Sequence, residues 1–220
     1  MAEIHVGGAR ADLTVVRSFV HRYLNTPTEH WAYPAYDTYG GSAGELSGPD
    51  LLAPILLNVS RISVRTYDEL LAGLAVINER FSVPALEQTL ADGGPDTLDA
   101  LVDLFALLDD PGYHGVRLTT FTKILHRKRP ATIPLYDEHI RRCYQEIGDP
   151  IRLPSEQGRS RTRFVRAWLT ELQADLVAQR QQFEELASLA PGPGITALRA
   201  LDIVGWGLGD PKHRFLTPAP

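Results

Sequence analysis

Residues 115–144 read GVRLTTFTKILHRKRPATIPLYDEHIRRCY, and the fold that we expect is organised around this stretch. Its first half places Phe121, Ile124 and Leu125 at the i, i+3, i+4 spacing that gives a helix one buried face. Basic side chains occupy much of the opposite face. The spacing therefore predicts an amphipathic helix over 119–128 with a basic outer surface.

Two prolines interrupt the helical pattern in the middle of the stretch. Pro130 and Pro134 each lack an amide donor and bias the preceding residue away from the α conformation, so the chain should turn between them. Asp137 then precedes a second apolar face, which contains Ile140 and Tyr144. A short carboxylate at that position accepts hydrogen bonds from first-turn amides and is favoured by the helix dipole. Asp137 is therefore expected to begin a second helix as its N-cap.

The same stretch resembles the central motif of the helix-hairpin-helix DNA glycosylases. That motif is a hairpin of the form L-P-G-V-G-x-K-T-A, an apolar helix ending in I-L or V-L, and V-D-x-x-V-x-R with a catalytic aspartate. Residues 115–116 resemble the hairpin's G-V, residues 124–125 the helix end, and residues 135–142 the aspartate segment, without a gap. The resemblance implies that Asp137 is catalytic and that DNA is a partner.

The chain departs from the glycosylase motif at two positions. Arg117 stands where the hairpin has its second glycine, and arginine adopts a positive φ less freely than glycine. Thr119 stands where bifunctional glycosylases carry their lysine nucleophile, so the resemblance implies base excision without strand-cleaving lyase activity. The phrase RP-x-x-IP-x-x-D at residues 129–137 also resembles a family of uncharacterised bacterial proteins.

The composition is that of an ordinary globular chain. With 220 residues, 44% hydrophobic content and a mean hydropathy of -0.14, it can bury a substantial core. Cys143 is the only cysteine, which excludes a disulfide framework, a cysteine-based zinc site and a four-cysteine iron–sulfur loop. Neither a signal peptide nor a run of apolar residues long enough to span a membrane is indicated. We expect a cytoplasmic protein without a cofactor, and the sequence gives no signal for an oligomeric state.

Charge is distributed unevenly along the chain. Residues 117–166 contain 12 Lys or Arg against 5 Asp or Glu, whereas the remaining residues contain 10 against 22. This concentration of positive charge indicates either a local anion-binding face or a solvated helix face followed by a basic loop. The residues expected to bind nucleic-acid phosphate are Arg117, Lys123, Arg127, Lys128, Arg129, Arg141, Arg142, Arg159, Arg161 and Arg163.

A long aromatic loop is expected near the start of the chain. Residues 25–50 are rich in Thr, Pro, Tyr, Gly and Ser, and loops of this length commonly lie over a binding site. The aromatic side chains either stack on a base or sugar, or fill a gap between two lobes. The residues expected to line a pocket are Trp31, Tyr33, Tyr36, Tyr39, Tyr136 and Trp206.

Helical periodicity and capping signals recur along the chain, and no β alternation of useful length is present, so we expect an all-α protein. Thr66 and Glu69 form the capping box of one helix. The resemblance implies one helical domain with two lobes and an active cleft between them. The first lobe comprises residues 1–48 and 164–220, and the second comprises residues 49–163.

Other residues give weaker signals. His114, His126 and His139 lack the H-E-x-x-H pattern and partner cysteines, so no metal site is expected. The glycine string at 205–209 follows no strand, which favours a close helix contact or a helix end over a dinucleotide site. Asp202 is expected to be a core or capping residue.

Two functional hypotheses follow. The first is a glycosylase-like protein that acts on or binds DNA and excises a modified base without lyase activity. The second is a catalytically inactive relative of that fold that binds nucleic acid, a nucleotide-like ligand or a protein partner. The aspartate segment favours the first hypothesis, whereas the altered hairpin favours the second.

Overall fold

The computed structural model describes residues 2–26, 31–39, 44–57, 59, 62–148, 150–155 and 161–211. This part of the chain is mainly helical, which confirms the all-α prediction. The α-helices are α1 (Leu13–Asn25), α2 (Ala35–Thr38), α3 (Val64–Ala72), α4 (Leu74–Phe81), α5 (Pro95–Ala106), α6 (Leu118–Lys128), α7 (Glu138–Gln145), α8 (Arg161–Ala178), α9 (Arg180–Ala187) and α10 (Ala197–Gly209). Short 3-10 helices cover Gly48–Leu57, Pro84–Glu87, Leu107–Asp109 and Pro111–Tyr113. Within the described ranges, no helix combines the length and apolar character needed to cross a membrane.

A small β-hairpin precedes the first helix, and the sequence reading missed it. Strands β1 (Glu3–Val6) and β2 (Ala9–Asp12) pair antiparallel, and Gly7 in the turn has a φ of 57°. Each strand has only four residues, too few for a period-2 pattern to stand out. The Gly-Gly turn was the available signal, because glycine readily adopts the positive φ that a tight hairpin turn requires.

The hairpin is fastened to the long helix α8. The amide of Gly7 donates to Oδ2 of Asp175 at 2.7 Å, and the hydroxyl of Tyr144 donates to the same oxygen at 2.9 Å. Nε2 of His5 lies 3.2 Å from the other carboxylate oxygen of Asp175. One carboxylate therefore joins the N-terminal strands to α7 and α8.

Two of the expected helices differ in their boundaries. The helix that the capping box placed at Thr66 begins at Val64, because Oγ of Ser63 accepts from the amide of Thr66 and acts as the N-cap. This helix then ends at Gly73, and α4 follows directly. The helical spacing of apolar residues over 164–190 predicts one long helix, but the structure divides it, with α8 ending before Gln179 and α9 beginning after it.

The described residues share one large hydrophobic core. It includes Phe19 of α1, Phe105 of α5, Phe121 of α6, Trp168 of α8 and Ile203 of α10, so side chains from both expected lobes pack together. Helix α10 packs against α7 and α9, and α5 packs against α8. The division into 1–48 with 164–220 and 49–163 remains a prediction.

Helix α10 approaches α7 closely because it carries glycines at the contact. A Cβ atom at Gly209 would lie 2.2 Å from the carbonyl oxygen of His139, and one at Gly205 would lie 2.5 Å from the side chain of Ile140. The close contact expected from the glycine string is therefore present. It brings Trp206 beside the N-terminus of α7.

Candidate functional site

A large cavity opens at the N-terminal ends of α6 and α7. Its volume is about 750 Å3. The polar and aromatic side chains that line it are His114, Arg117, Thr119, Lys123, Tyr136, Asp137, Glu138, His139, Arg141, Arg161 and Trp206. We call this cavity the cleft. A cleft of this size with converging charged groups is the usual form of a ligand site.

Asp137 is both a helix cap and a wall of the cleft. Its Oδ1 atom accepts hydrogen bonds from the amides of His139 at 3.0 Å and Ile140 at 3.1 Å, as the sequence predicted for an N-cap. Its Oδ2 atom lies 3.9 Å from Nζ of Lys123. The capping and ligand-facing interpretations are therefore compatible, because each uses a different carboxylate oxygen.

Lys123 differs from its expected place on a solvated or phosphate-binding surface. Its side chain is only 8% exposed, and Nζ donates to the carbonyl of Leu57 at 3.4 Å. Burial lowers the pKa of Lys123, and the charge of Asp137 partly opposes that effect. Lys123 thus forms a buried cation at the cleft wall, one helical turn after Thr119, whose side chain also lines the cleft.

The structure brings four of the expected phosphate-binding residues to the cleft: Arg117, Lys123, Arg141 and Arg161. Arg117 is exposed at the rim. Arg141 contacts Glu138 and Glu146, each at 2.6 Å, and the hydrogen bond to Glu138 raises its pKa. Arg161 lies 3.1 Å from Asp109. Arg117 is therefore the cleft arginine best placed to meet a ligand phosphate.

The other expected phosphate-binding residues that the structure describes do not join this group. Lys128 forms a buried ion pair with Asp50 at 3.1 Å, and Arg129 pairs with Glu87 at 2.7 Å. Arg142 donates to the carbonyl of Gly209 at 2.7 Å. The remaining three are Arg127, which is half-buried on α6, Arg163, which is exposed on α8, and Arg159, which lies outside the described residues. The side chains that the structure describes therefore do not form one continuous basic face.

The expected pocket aromatics lie in three kinds of surroundings. Tyr136 and Trp206 line the cleft. Trp31 stacks on Tyr23, with ring centroids 4.9 Å apart, and lines a smaller cavity beside it. The other three expected pocket residues are hydrogen-bonded to backbone carbonyls: Tyr33 to Pro193 at 3.0 Å, Tyr36 to Lys123 at 2.6 Å and Tyr39 to Pro49 at 3.0 Å. Their hydroxyl groups are thus used in hydrogen bonds within the fold.

The smaller cavity, of about 50 Å3, lies next to the cleft, and we call it the inner cavity. The two spaces share four lining residues, which we call the throat: Leu57, Lys123, Asp137 and Trp206. Arg199 and Asp202 of α10 line only the inner cavity.

Arg199 and Asp202 on α10 belong to a buried cluster of charged side chains. Nε of Arg199 donates to Asp37 at 2.8 Å, and Nη1 of Arg199 donates to Asp202. Burial raises the pKa of Asp202 to about 6, although the charge of Arg199 opposes the effect. Asp202 was expected to be a core or capping residue, and Arg199 carried no functional signal in the sequence. Charged residues within an apolar helix such as α10 were the signal that could have drawn attention to both.

The hairpin-like segment forms one side of the cleft and is tied to α3. The amide of Gly115 donates to Oε2 of Glu69 at 2.9 Å, and the hydroxyl of Thr66 donates to the carbonyl of Gly115 at 3.3 Å. The backbone amide of Gly115 is thus bonded to a carboxylate of the same chain.

The three histidines named in the sequence lie in different surroundings. His114 and His139 line the cleft, whereas His126 is buried and its Nδ1 atom lies 2.6 Å from the carbonyl oxygen of Ile133. In the part of the chain that the structure describes, no group of three or more His, Cys, Asp or Glu side chains is arranged to hold a metal ion.

Comparison with known proteins gives one match. A family of unknown function, DUF6308, matches the chain over residues 16–209. This range includes α1 from residue 16 onward, both cavities and all of α10. No curated protein and no solved structure matches the chain.

Proposed function

We propose that this chain, which belongs to the DUF6308 family of unknown function, is a glycosylase-like protein that cleaves the bond between a modified base and its sugar in DNA. One observation carries the proposal. The carboxylate of Asp137 lies in the cleft with one oxygen fixed by the first-turn amides of α7 and the other facing Lys123. A carboxylate held in this way is preorganised to stabilise positive charge that develops on a ligand.

The proposed chemistry needs few groups. As the base leaves, the sugar takes on oxocarbenium character, and the carboxylate of Asp137 stabilises that charge and orients the attacking water. Because the amides of α7 fix the carboxylate, little reorganisation is needed in the transition state. Thr119 has no amine that could form a Schiff base at the position of the glycosylase lysine, so we expect base release without strand cleavage.

The walls of the cleft suit a flipped nucleotide. Trp206, which is half-buried, offers an aromatic surface for a base, and Arg117 at the rim offers a guanidinium for phosphate. The cleft volume of about 750 Å3 leaves room for a nucleotide unit. These features support an anionic ligand with an aromatic group.

A second candidate function is binding without chemistry. It is favoured by the bond between the Gly115 amide and Glu69, since an amide that donates to a carboxylate is not free to grip a phosphate. Several arginines beyond the cleft are also paired with acidic side chains, as Arg129 is with Glu87. In this case the cleft would take a nucleotide-like ligand, and Asp137 would serve as a cap and a hydrogen-bond acceptor.

The two candidates are separated by one experiment with two readouts. The parent protein and the Asp137→Asn variant are incubated with duplex oligonucleotides that each carry one modified base. Base release is measured by chromatography, and binding is measured by fluorescence anisotropy. Release by the parent that is at least a hundredfold slower in the variant, with similar binding, supports catalysis. Binding without release by either protein supports the second candidate.

A further inference from the structure

A second carboxylate, that of Asp202, lines the inner cavity but not the cleft. Asp137 and Lys123 form part of the throat, and Asp202 with Arg199 forms the wall beyond it. The cavity volume of about 50 Å3 is too small for a heterocyclic ring but leaves room for a few water molecules or the edge of a ligand. Asp137 borders both spaces, so a group held there lies next to the cavity that Asp202 lines.

The two carboxylates have contrasting surroundings. Asp137 is 17% exposed, accepts two backbone amide hydrogens and faces an ammonium group. Asp202 is 9% exposed, and its Oδ2 atom accepts a hydrogen bond from Nη1 of Arg199. Burial favours the neutral acid, and the pKa of Asp202 is raised to about 6 as a result. Paired carboxylates in unlike surroundings commonly divide the roles of proton donor and anionic stabiliser.

The charges around Asp202 are supplied by four elements. Arg199 lies on its own helix, Lys123 on α6, Asp137 at the start of α7 and Asp37 on α2. The hydroxyl of Tyr23 on α1 also contacts Arg199, at 3.4 Å. The group contains three carboxyl groups and two cations, so one proton on a carboxyl group would balance the buried charge. Of the three, Asp202 is the one that faces the inner cavity without also capping a helix.

We propose that Asp202 supplies the proton that the departing base takes up, and that the inner cavity is where the edge of the base meets this carboxyl group. The inference rests on the proposed function. As the bond between the sugar carbon and the base nitrogen breaks, its electron pair leaves with the base, and the base accepts the Asp202 proton. Water forms the new bond to the sugar carbon, and its proton passes to Asp137. Exchange of one proton through solvent restores both side chains.

A matched pair of variants separates proton donation from structural support. Asp202→Asn removes the cavity carboxyl, whereas Asp37→Asn removes the other carboxylate on Arg199, which lines neither cavity. Single-turnover base release is measured from pH 4.5 to 8 for the parent and both variants. We expect the parent rate to fall about tenfold per pH unit above pH 6, and Asp202→Asn to be at least tenfold slower at pH 5 with a flat profile. We expect Asp37→Asn to keep the decline of the rate with pH, with its midpoint at a lower pH because one buried negative charge has been removed.

Several outcomes would overturn this role. If Asp202→Asn has the parent's pH profile, Asp202 does not take part in proton transfer. If Asp37→Asn has a profile as flat as that of Asp202→Asn, the role of Asp202 is only to support Arg199. A parent that releases no base would overturn both this role and the proposed function. A further test uses the parent protein alone and follows the NMR signals of its carboxyl carbons as a function of pH. We expect Asp202 to titrate near pH 6, and titration below pH 5 would overturn the inference alone.

Discussion

Nζ of Lys123 lies 3.9 Å from Oδ2 of Asp137, which joins the middle of α6 to the start of α7 across the cleft wall. The lysine is almost fully buried, and the aspartate is fixed from its other side by two backbone amides. This relationship gives the cleft a fixed anion and a fixed cation at one point. The predictions below test what each charge does.

Asp137→Asn should leave the fold intact. Asparagine caps a helix nearly as well as aspartate, so we expect the free energy of unfolding to change little, whereas Asp137→Ala should lose about 1 kcal/mol. Urea unfolding followed by circular dichroism measures both. Asp12→Asn is the matched control, because Asp12 caps α1 through the amide of Thr14 and does not line the cleft. Destabilisation of Asp137→Asn well beyond that control would show that the carboxylate charge is needed for folding.

Lys123→Met should cost less stability than Lys128→Met. Water reaches Asp137 from the cleft, so loss of the Lys123 ammonium leaves a carboxylate that can still be solvated, and we expect a change within about 1 kcal/mol. Asp50, the partner of Lys128, is only 3% exposed, and we expect a loss of about 3 kcal/mol there. Chemical denaturation of the two variants under the same conditions gives the comparison. Equal losses would contradict the solvent access that we assign to Asp137.

Removing the cleft arginines should reduce the salt dependence of DNA binding. If Arg117 and Arg161 contact phosphates, the double alanine variant should lower the slope of log affinity against log salt concentration by up to about 2. Arg166→Ala with Arg180→Ala removes the same charge from α8 and α9, outside the cleft, and should leave the slope unchanged. Anisotropy titrations between low and moderate salt provide the measurement. Equal slopes in the two double variants would place the phosphate contacts elsewhere.

His126 should make the protein less stable in mild acid. Burial lowers its pKa to about 4 from the usual value of 6.5, so the unfolded chain takes up a proton at a pH where the folded chain does not. Its contribution is complete above pH 6.5 and is lost as the pH falls toward 4. We expect His126 to account for a loss of about 2 kcal/mol between pH 7 and pH 5.

Urea unfolding at the two pH values tests the His126 prediction. The loss between pH 7 and pH 5 should be smaller in His126→Gln, because glutamine does not titrate. His114→Gln is the control, since His114 is exposed at the cleft. The prediction is wrong if the parent and His126→Gln lose the same stability on acidification.

The sequence predicted the local features of the central stretch well. Phe121, Ile124 and Leu125 are buried on α6, and Asp137 caps α7, because spacing and capping depend on residues only a few positions apart. It predicted the β-hairpin poorly, since four-residue strands carry too little pattern. It also treated Lys128 as a surface cation, although Lys128 forms a buried pair with Asp50.

The sequence by itself determined that the chain is mainly helical, that it turns between Pro130 and Pro134, and that Asp137 begins a helix, because these properties follow from backbone sterics and near-neighbour spacing. Only the tertiary structure decided that Lys123 faces Asp137, and that Arg199 is shared between Asp37 and Asp202. A charged side chain on a helix is normally solvated. It becomes buried only where packing from distant parts of the chain removes water and supplies a partner, and no local pattern records that partner.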